Sequence, residues 1–167
     1  MLIRTVDTDV VVLAVFAINH LPAGCELWLA FGTGKRFRYL AAHQIAASLK
    51  PDMSCALPMF HALTGCDTVS SFAGHGKKTA WSTWTSLLEL TDALLILADG
   101  PKEIPDDAMN IIERFVPRWT MQEGSSFHEN NSLQQIPPTR AALEEHVKRG
   151  SHLGEDTATK PCVTITN

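Results

Sequence analysis

Residues 5–15 read "TVDTDVVVLAV", and two carboxylates, Asp7 and Asp9, stand at the entrance to a long apolar run. The residues before them, "LIRTV" at 2–6, are mostly apolar and β-branched and read as a buried strand. The residues after them, "VVVLAVFAINH" at 10–20, are long enough for a helix with Asp9 as its N-cap. The three valines keep a second strand open, because a continuous apolar run has no deciding period. In the strand-then-helix reading the acids lie at a strand's carboxyl end, where open α/β sheets collect ligands. An Asp-x-Asp pair then has two readings. One is a cap with a solvated turn residue, which stabilises a helix by about 1 kcal/mol. The other is a pair of oxygen donors for a hard divalent cation beside a phosphate.

The rest of the chain continues this order. "CELWLAFGTG" predicts a strand at 25–31 that closes on a glycine turn, with "RFRYL" at 36–40 as its hairpin partner. Helices are expected at 41–49 and 55–65, the first stopped by Pro51 and the second admitting Pro58 only in its first turn. "TAWSTWTSLLEL", "TDALLILAD" and "DDAMNIIERFVPRW" predict further helices, and residues 120–136 a polar loop. "PPTRAALEEHVKRG" predicts a last helix with Thr139 as its cap, followed by a disordered tail from 151 to 167.

Length and charge set the limits. A chain of 167 residues suits one domain with a single sizeable core. A formal net charge of -4 does not suit a generally basic nucleic-acid coat protein, so contact with nucleic acid would need local basic patches. The longest apolar run, Val10–Ile18, is shorter than the about 20 residues that span a bilayer, so no membrane partner is expected. Cys25, Cys55, Cys66 and Cys162 form no Cys-x-x-Cys pair and read as reduced thiols of an intracellular protein.

A second constellation follows the 55–65 helix. Asp67 comes directly after Gly65-Cys66, and "FAGHGKKTAW" then gives Gly-x-Gly-Lys-Lys opening a helix. Glycines at 74 and 76 let a backbone approach a phosphate, and the N–H groups of a helix start favour an anion. Lys77 and Lys78 add positive charge, and His75 lies within the same hairpin. The spacing is not that of a Walker A loop. A helix–hairpin–helix gripping a nucleic-acid backbone fits it better, over about residues 55–90. Lys35, Arg36 and Arg38 form another basic cluster, read either as a solvated hairpin edge or as an extension of the phosphate track. His43 and His61 fall on apolar helices and read as packing or surface residues. Trp81, Trp84 and Trp119 read as helix-packing residues.

"TVDTDVVVL" followed by "HALTGCDTVSSFAGHGKKTA" resembles the internal nuclease region of the flap endonuclease and xeroderma pigmentosum G family, in the PIN-like superfamily. The strings "DTDVVVLAV", "AFGTGK" and "FHALTGCD" resemble transposon-associated animal proteins. The specific match spans roughly residues 2–85. The resemblance implies an α/β fold: a partial PIN-like parallel-sheet core, then a helix–hairpin–helix and further helices, over residues 1–150. It implies metal-dependent phosphodiester hydrolysis with Asp7, Asp9 and Asp67 as catalytic metal ligands for Mg²⁺ or Mn²⁺. It makes Gly74, His75, Gly76, Lys77 and Lys78 the nucleic-acid contacts, with DNA rather than RNA as partner and a nuclear location. The family's further carboxylates precede its Asp-x-Asp strand, and "MLIRTV" contains none. The expectation is therefore a fragment or a degenerate derivative, weak or inactive alone. The competing expectation is a non-catalytic nucleic-acid or protein interaction domain derived from a nuclease fold.

Overall fold

The computed structural model describes residues 1–66, 76–120 and 138–155. Strand β1 (Leu2–Thr5) leads to helix α1 (Thr8–Ala17), which tightens into a 3-10 turn at Ile18–His20. Strand β2 (Trp28–Phe31) pairs with β1 in parallel, with Leu2 opposite Trp28 and Thr5 opposite Phe31. A parallel pair needs a crossover of a dozen or more residues, and this decides the valine run as a helix. Asp7 caps that helix, not Asp9: its carboxylate accepts the Asp9 N–H, and Asp9 lies in the first turn. The cap falls earlier than the sequence suggests because Thr8 and Asp9 already have helical backbone.

Strand β3 (Arg38–Ala41) pairs antiparallel with β2, giving the order β1-β2-β3. The sheet is thus small and mixed, not the parallel core expected. The hairpin predicted at 36–40 forms, joined by a 3-10 turn at Gly34–Arg36. β2 begins at Trp28, later than the Cys25 expected, yet Leu27 is buried and its N–H donates to His43 Nδ1 at 3.3 Å.

Helix α2 (Ala42–Ser48) follows, and α3 (Pro51–Leu63) starts earlier than predicted, with Pro51 at its first position. Pro58 is therefore interior, where it removes a helical hydrogen bond at a cost of about 3 kcal/mol. Burial offsets that cost. Ala56, Met59, Phe60 and Leu63 pack into one core, while Leu57 also touches the smaller core under the sheet. That smaller core holds Ala14, Val15, Leu27, Leu29, Ala42 and Ala46, so α3 is the wall between two layers. A polar seam crosses the wall: Asn19 Nδ2 donates to Ser54 Oγ at 2.7 Å, and Ser54 Oγ donates to the Val15 carbonyl at 3.3 Å.

Helices α4 (Lys77–Ser86), α5 (Glu89–Ala98), α6 (Asp106–Thr120) and α7 (Arg140–Glu155) form the larger layer. Leu90, Ala93, Leu94 and Leu97 repeat at helical spacing and are buried. On α6, Ala108, Met109, Ile112, Phe115, Val116 and Trp119 do the same. Trp84 and Trp119 are buried, and Trp81 packs edge-on against Phe60. Thr139 Oγ1 accepts the Ala142 N–H at 3.4 Å, as an α7 cap should. The tail expected from 151 does not begin there. α7 continues to Glu155, and Ser151 is buried with its hydroxyl donating to the Val147 carbonyl. Gly150 lets α7 close on α3, since a Cβ there would meet Met59 Cε at 3.1 Å.

The expected helix–hairpin–helix is framed by α3 and α4, but residues 67–75 between them lie outside the described residues, as does the loop predicted at 120–136 from Met121 on. Cys55 is disulfide-bonded, contrary to the reading of four reduced thiols. Among the described residues, no helix is long and apolar enough to cross a membrane.

Candidate functional site

The carboxyl end of β1 positions both acids of the opening motif. Asp7 has extended backbone, its N–H donates to Thr5 Oγ1 at 3.0 Å, and its Oδ1 accepts the Asp9 N–H at 2.8 Å. One oxygen of Asp7 is therefore committed to starting α1. Asp9 projects from the first turn toward α3. There His61 Nε2 donates to Asp9 Oδ1 at 2.6 Å, a length typical of a charge-assisted bond. The His61 side chain is 10% exposed and that of Asp9 35%, so the pair sits at the rim of the layer wall with the carboxylate nearer to water.

The third charged group is Lys77, at the start of α4. Its ammonium donates to the His61 carbonyl at 3.0 Å, to Thr64 Oγ1 at 3.1 Å and to the Gly65 carbonyl. These acceptors close the C-terminal end of α3, whose last carbonyls have no partners within the helix and favour a cation. His146 on α7 adds Nε2–H to the Leu63 carbonyl at 2.9 Å. Burial pushes the Lys77 pKa below its ordinary value, against the opposing electrostatic influence of Cys66 and Asp9. Lys77 thus holds α4 to α3, near enough to Asp9 to feel its charge. Lys78 is exposed beside it. Gly76, which precedes them, has extended backbone, and its carbonyl accepts the Trp119 Nε1–H at 3.3 Å.

Of the residues expected to carry function, the structure brings Asp9 and Lys77 to one place with Asp7 at its edge. Asp67, Gly74 and His75 lie outside the described residues. His61, read from sequence as a packing or surface residue, is the partner of Asp9. No spacing signals it, because the two are 52 positions apart and meet only when α3 crosses α1. Lys77 was expected to hold phosphate; its half-buried ammonium is instead spent on α3. His43 receives the Leu27 N–H and is structural.

The donor chemistry of the acids suits Mg²⁺ or Mn²⁺, which take carboxylate oxygens. The arrangement does not complete such a site. Among the described residues no group of three His, Cys, Asp or Glu side chains could hold a metal ion. Asp7 is turned to its cap and Asp9 to His61. No family model, curated protein or solved structure matches the chain.

Proposed function

We propose that the chain is a nuclease-like domain directed at the phosphodiester backbone of nucleic acid, DNA rather than RNA. The observation that carries this reading is the meeting of Asp9, His61 and Lys77 at the carboxyl end of β1. A carboxylate hydrogen-bonded to an imidazole is a proton-handling pair, and it needs to lie within reach of the group it acts on. The nearby ammonium and the exposed Lys78 lower the cost of bringing a polyanion to that rim. The Gly65-Cys66 segment, held by Lys77, leads directly into Asp67. A divalent ion here would take carboxylate oxygens of Asp7 and Asp9 together with a further donor such as Asp67.

The same contacts favour a second reading, a non-catalytic domain that binds nucleic acid or protein. Asp7, Asp9 and Lys77 satisfy one another's neighbours within the fold, as expected of a site that has become structural.

Labelled flap and single-stranded DNA, incubated with the chain in Mn²⁺ or Mg²⁺, separate the two. Cleavage that disappears in Asp9→Asn supports the nuclease reading; the asparagine keeps an oxygen for His61, so the fold is spared. Binding without cleavage, weakened by salt and by Lys78→Ala, whose side chain is exposed, supports the nucleic-acid form of the second. If the chain neither cuts nor binds DNA, the nuclease reading and the nucleic-acid form of the second reading are both wrong.

A further inference from the structure

Beside the Asp7 turn, the same end of the sheet carries an open groove of about 750 Å³. Val6, Phe31, Lys35, Arg36, Phe37 and Arg38 line it, with no carboxylate among the described lining residues. The chain as a whole is acidic, at a net charge of -4, so three cations within four residues are a local departure. Among the described residues none of the three has a carboxylate partner.

The loop that groups them is firmly built. The Gly32 N–H donates to the Thr5 carbonyl at 3.0 Å, the Arg36 N–H to the Thr33 carbonyl at 3.1 Å and the Phe37 N–H to the Gly34 carbonyl at 3.2 Å. Gly32 has φ +88°, and a Cβ there would fall 2.8 Å from the Arg36 carbonyl oxygen. Only glycine lets the loop fold back so tightly.

Aromatic surface accompanies the charge. The Arg38 guanidinium lies 5.5 Å from the centroid of the Phe31 ring. Phe37 is 41% exposed, and it meets Tyr39, 61% exposed, edge to face with centroids 5.2 Å apart. The two rings in contact give the rim of the groove an exposed aromatic surface that a stacking ligand could cover. Cations without carboxylate partners among the described residues, near exposed rings, match the needs of single-stranded nucleic acid: phosphates for the cations and unstacked bases for the rings. Duplex DNA keeps its bases stacked and cannot use the rings.

We propose that this groove is a binding site for a single-stranded nucleic-acid segment, with Lys35, Arg36 and Arg38 on its phosphates and Phe37 on its bases, backed outside the groove lining by the Tyr39 ring. The proposal rests on the phosphodiester-directed reading for its choice of ligand and deepens it. Val6 lines the groove and Asp7 follows it, so a strand seated there passes the β1 end.

Fluorescence anisotropy of the full chain with labelled oligothymidylate tests it, with a duplex of mixed sequence and polyglutamate as competitors. The triple variant K35A/R36A/R38A is expected to weaken binding at least about tenfold and to lower the log K–log salt slope by about 2, at roughly 0.7 per phosphate on a single strand. F37A/Y39A is expected to weaken binding at least about fivefold with the slope unchanged, as loss of stacking alone requires. All five side chains are exposed, and circular dichroism checks that each variant is folded. Wild-type affinity and slope in the triple variant overturn the proposal. So does tighter binding of the duplex, or polyglutamate competing as well as oligothymidylate. Groove-dependent binding without cleavage sinks the nuclease reading alone. Cleavage by wild type, with binding indifferent to the groove variants, sinks the groove alone.

Discussion

His61 donates its Nε2–H to Asp9 Oδ1 across 2.6 Å, and this bond ties the end of α3 to the first turn of α1. It joins the two layers at the point where the β1 acids emerge. Removing the acceptor leaves a donor on a side chain that is only 10% exposed. Asp9→Ala is therefore expected to lower stability by about 1–3 kcal/mol, the cost of a buried group left unsatisfied. Asp9→Asn, with an oxygen still in place, should lose less. Urea unfolding reads both, as a shift of midpoint at constant slope.

Asp7 acts at shorter range. Its Oδ1 holds the Asp9 N–H at 2.8 Å and starts α1. Asp7→Ala should cost about 1 kcal/mol, and Asp7→Ser should restore most of it, because serine caps nearly as well. Thermal unfolding followed by circular dichroism separates the two variants.

Lys77 gives a pH dependence of known sign. Burial lowers its pKa in the folded chain below the ordinary 10.5, so the unfolded chain holds the proton more tightly. Stability contributed by this group therefore rises as pH climbs through the folded value toward 10.5. Lys77→Met is expected to flatten that rise, read by urea unfolding at successive pH values from neutral upward. Lys148 is shifted the other way by Glu144 and Glu145, and its contribution is lost only above 10.5, outside this window.

The two glycines of the β2–β3 turn should differ. Gly32→Ala meets the Arg36 carbonyl at 2.8 Å and also forces a left-handed φ of +88°. Gly34→Ala carries φ +53° with nothing within 4 Å. The left-handed backbone alone costs about 1–2 kcal/mol, so Gly34→Ala should lose about that and Gly32→Ala more. Chemical denaturation ranks them.

Local chemistry made much of the architecture legible. The β-branched residues at 2–6, the glycine turn after Phe31 and the 3.6-residue repeat of Leu90, Ala93, Leu94 and Leu97 are short-range signals, and each element forms, although β1, expected to be buried, alternates exposed and half-buried residues. Boundaries were less legible where burial overrides propensity. Pro58 argues against a helix interior until Met59, Phe60 and Leu63 are seen packed into the core. The fate of the valine run depended on a parallel partner strand that its own residues do not specify.

For the site, the sequence alone determined which residue types stand where: two acids after a strand, two lysines opening a helix and three cations in a hairpin turn. Only the tertiary structure decided what each is attached to. It gave Asp9 to His61, Lys77 to the end of α3, and Asp7 to its own helix. Among the described residues it left Lys35, Arg36 and Arg38 without carboxylate partners, near exposed rings. The reason is physical. Charge and helix-start preferences act over a few residues and are written in order along the chain. The partner of a half-buried charge is chosen by which distant segments burial forces together.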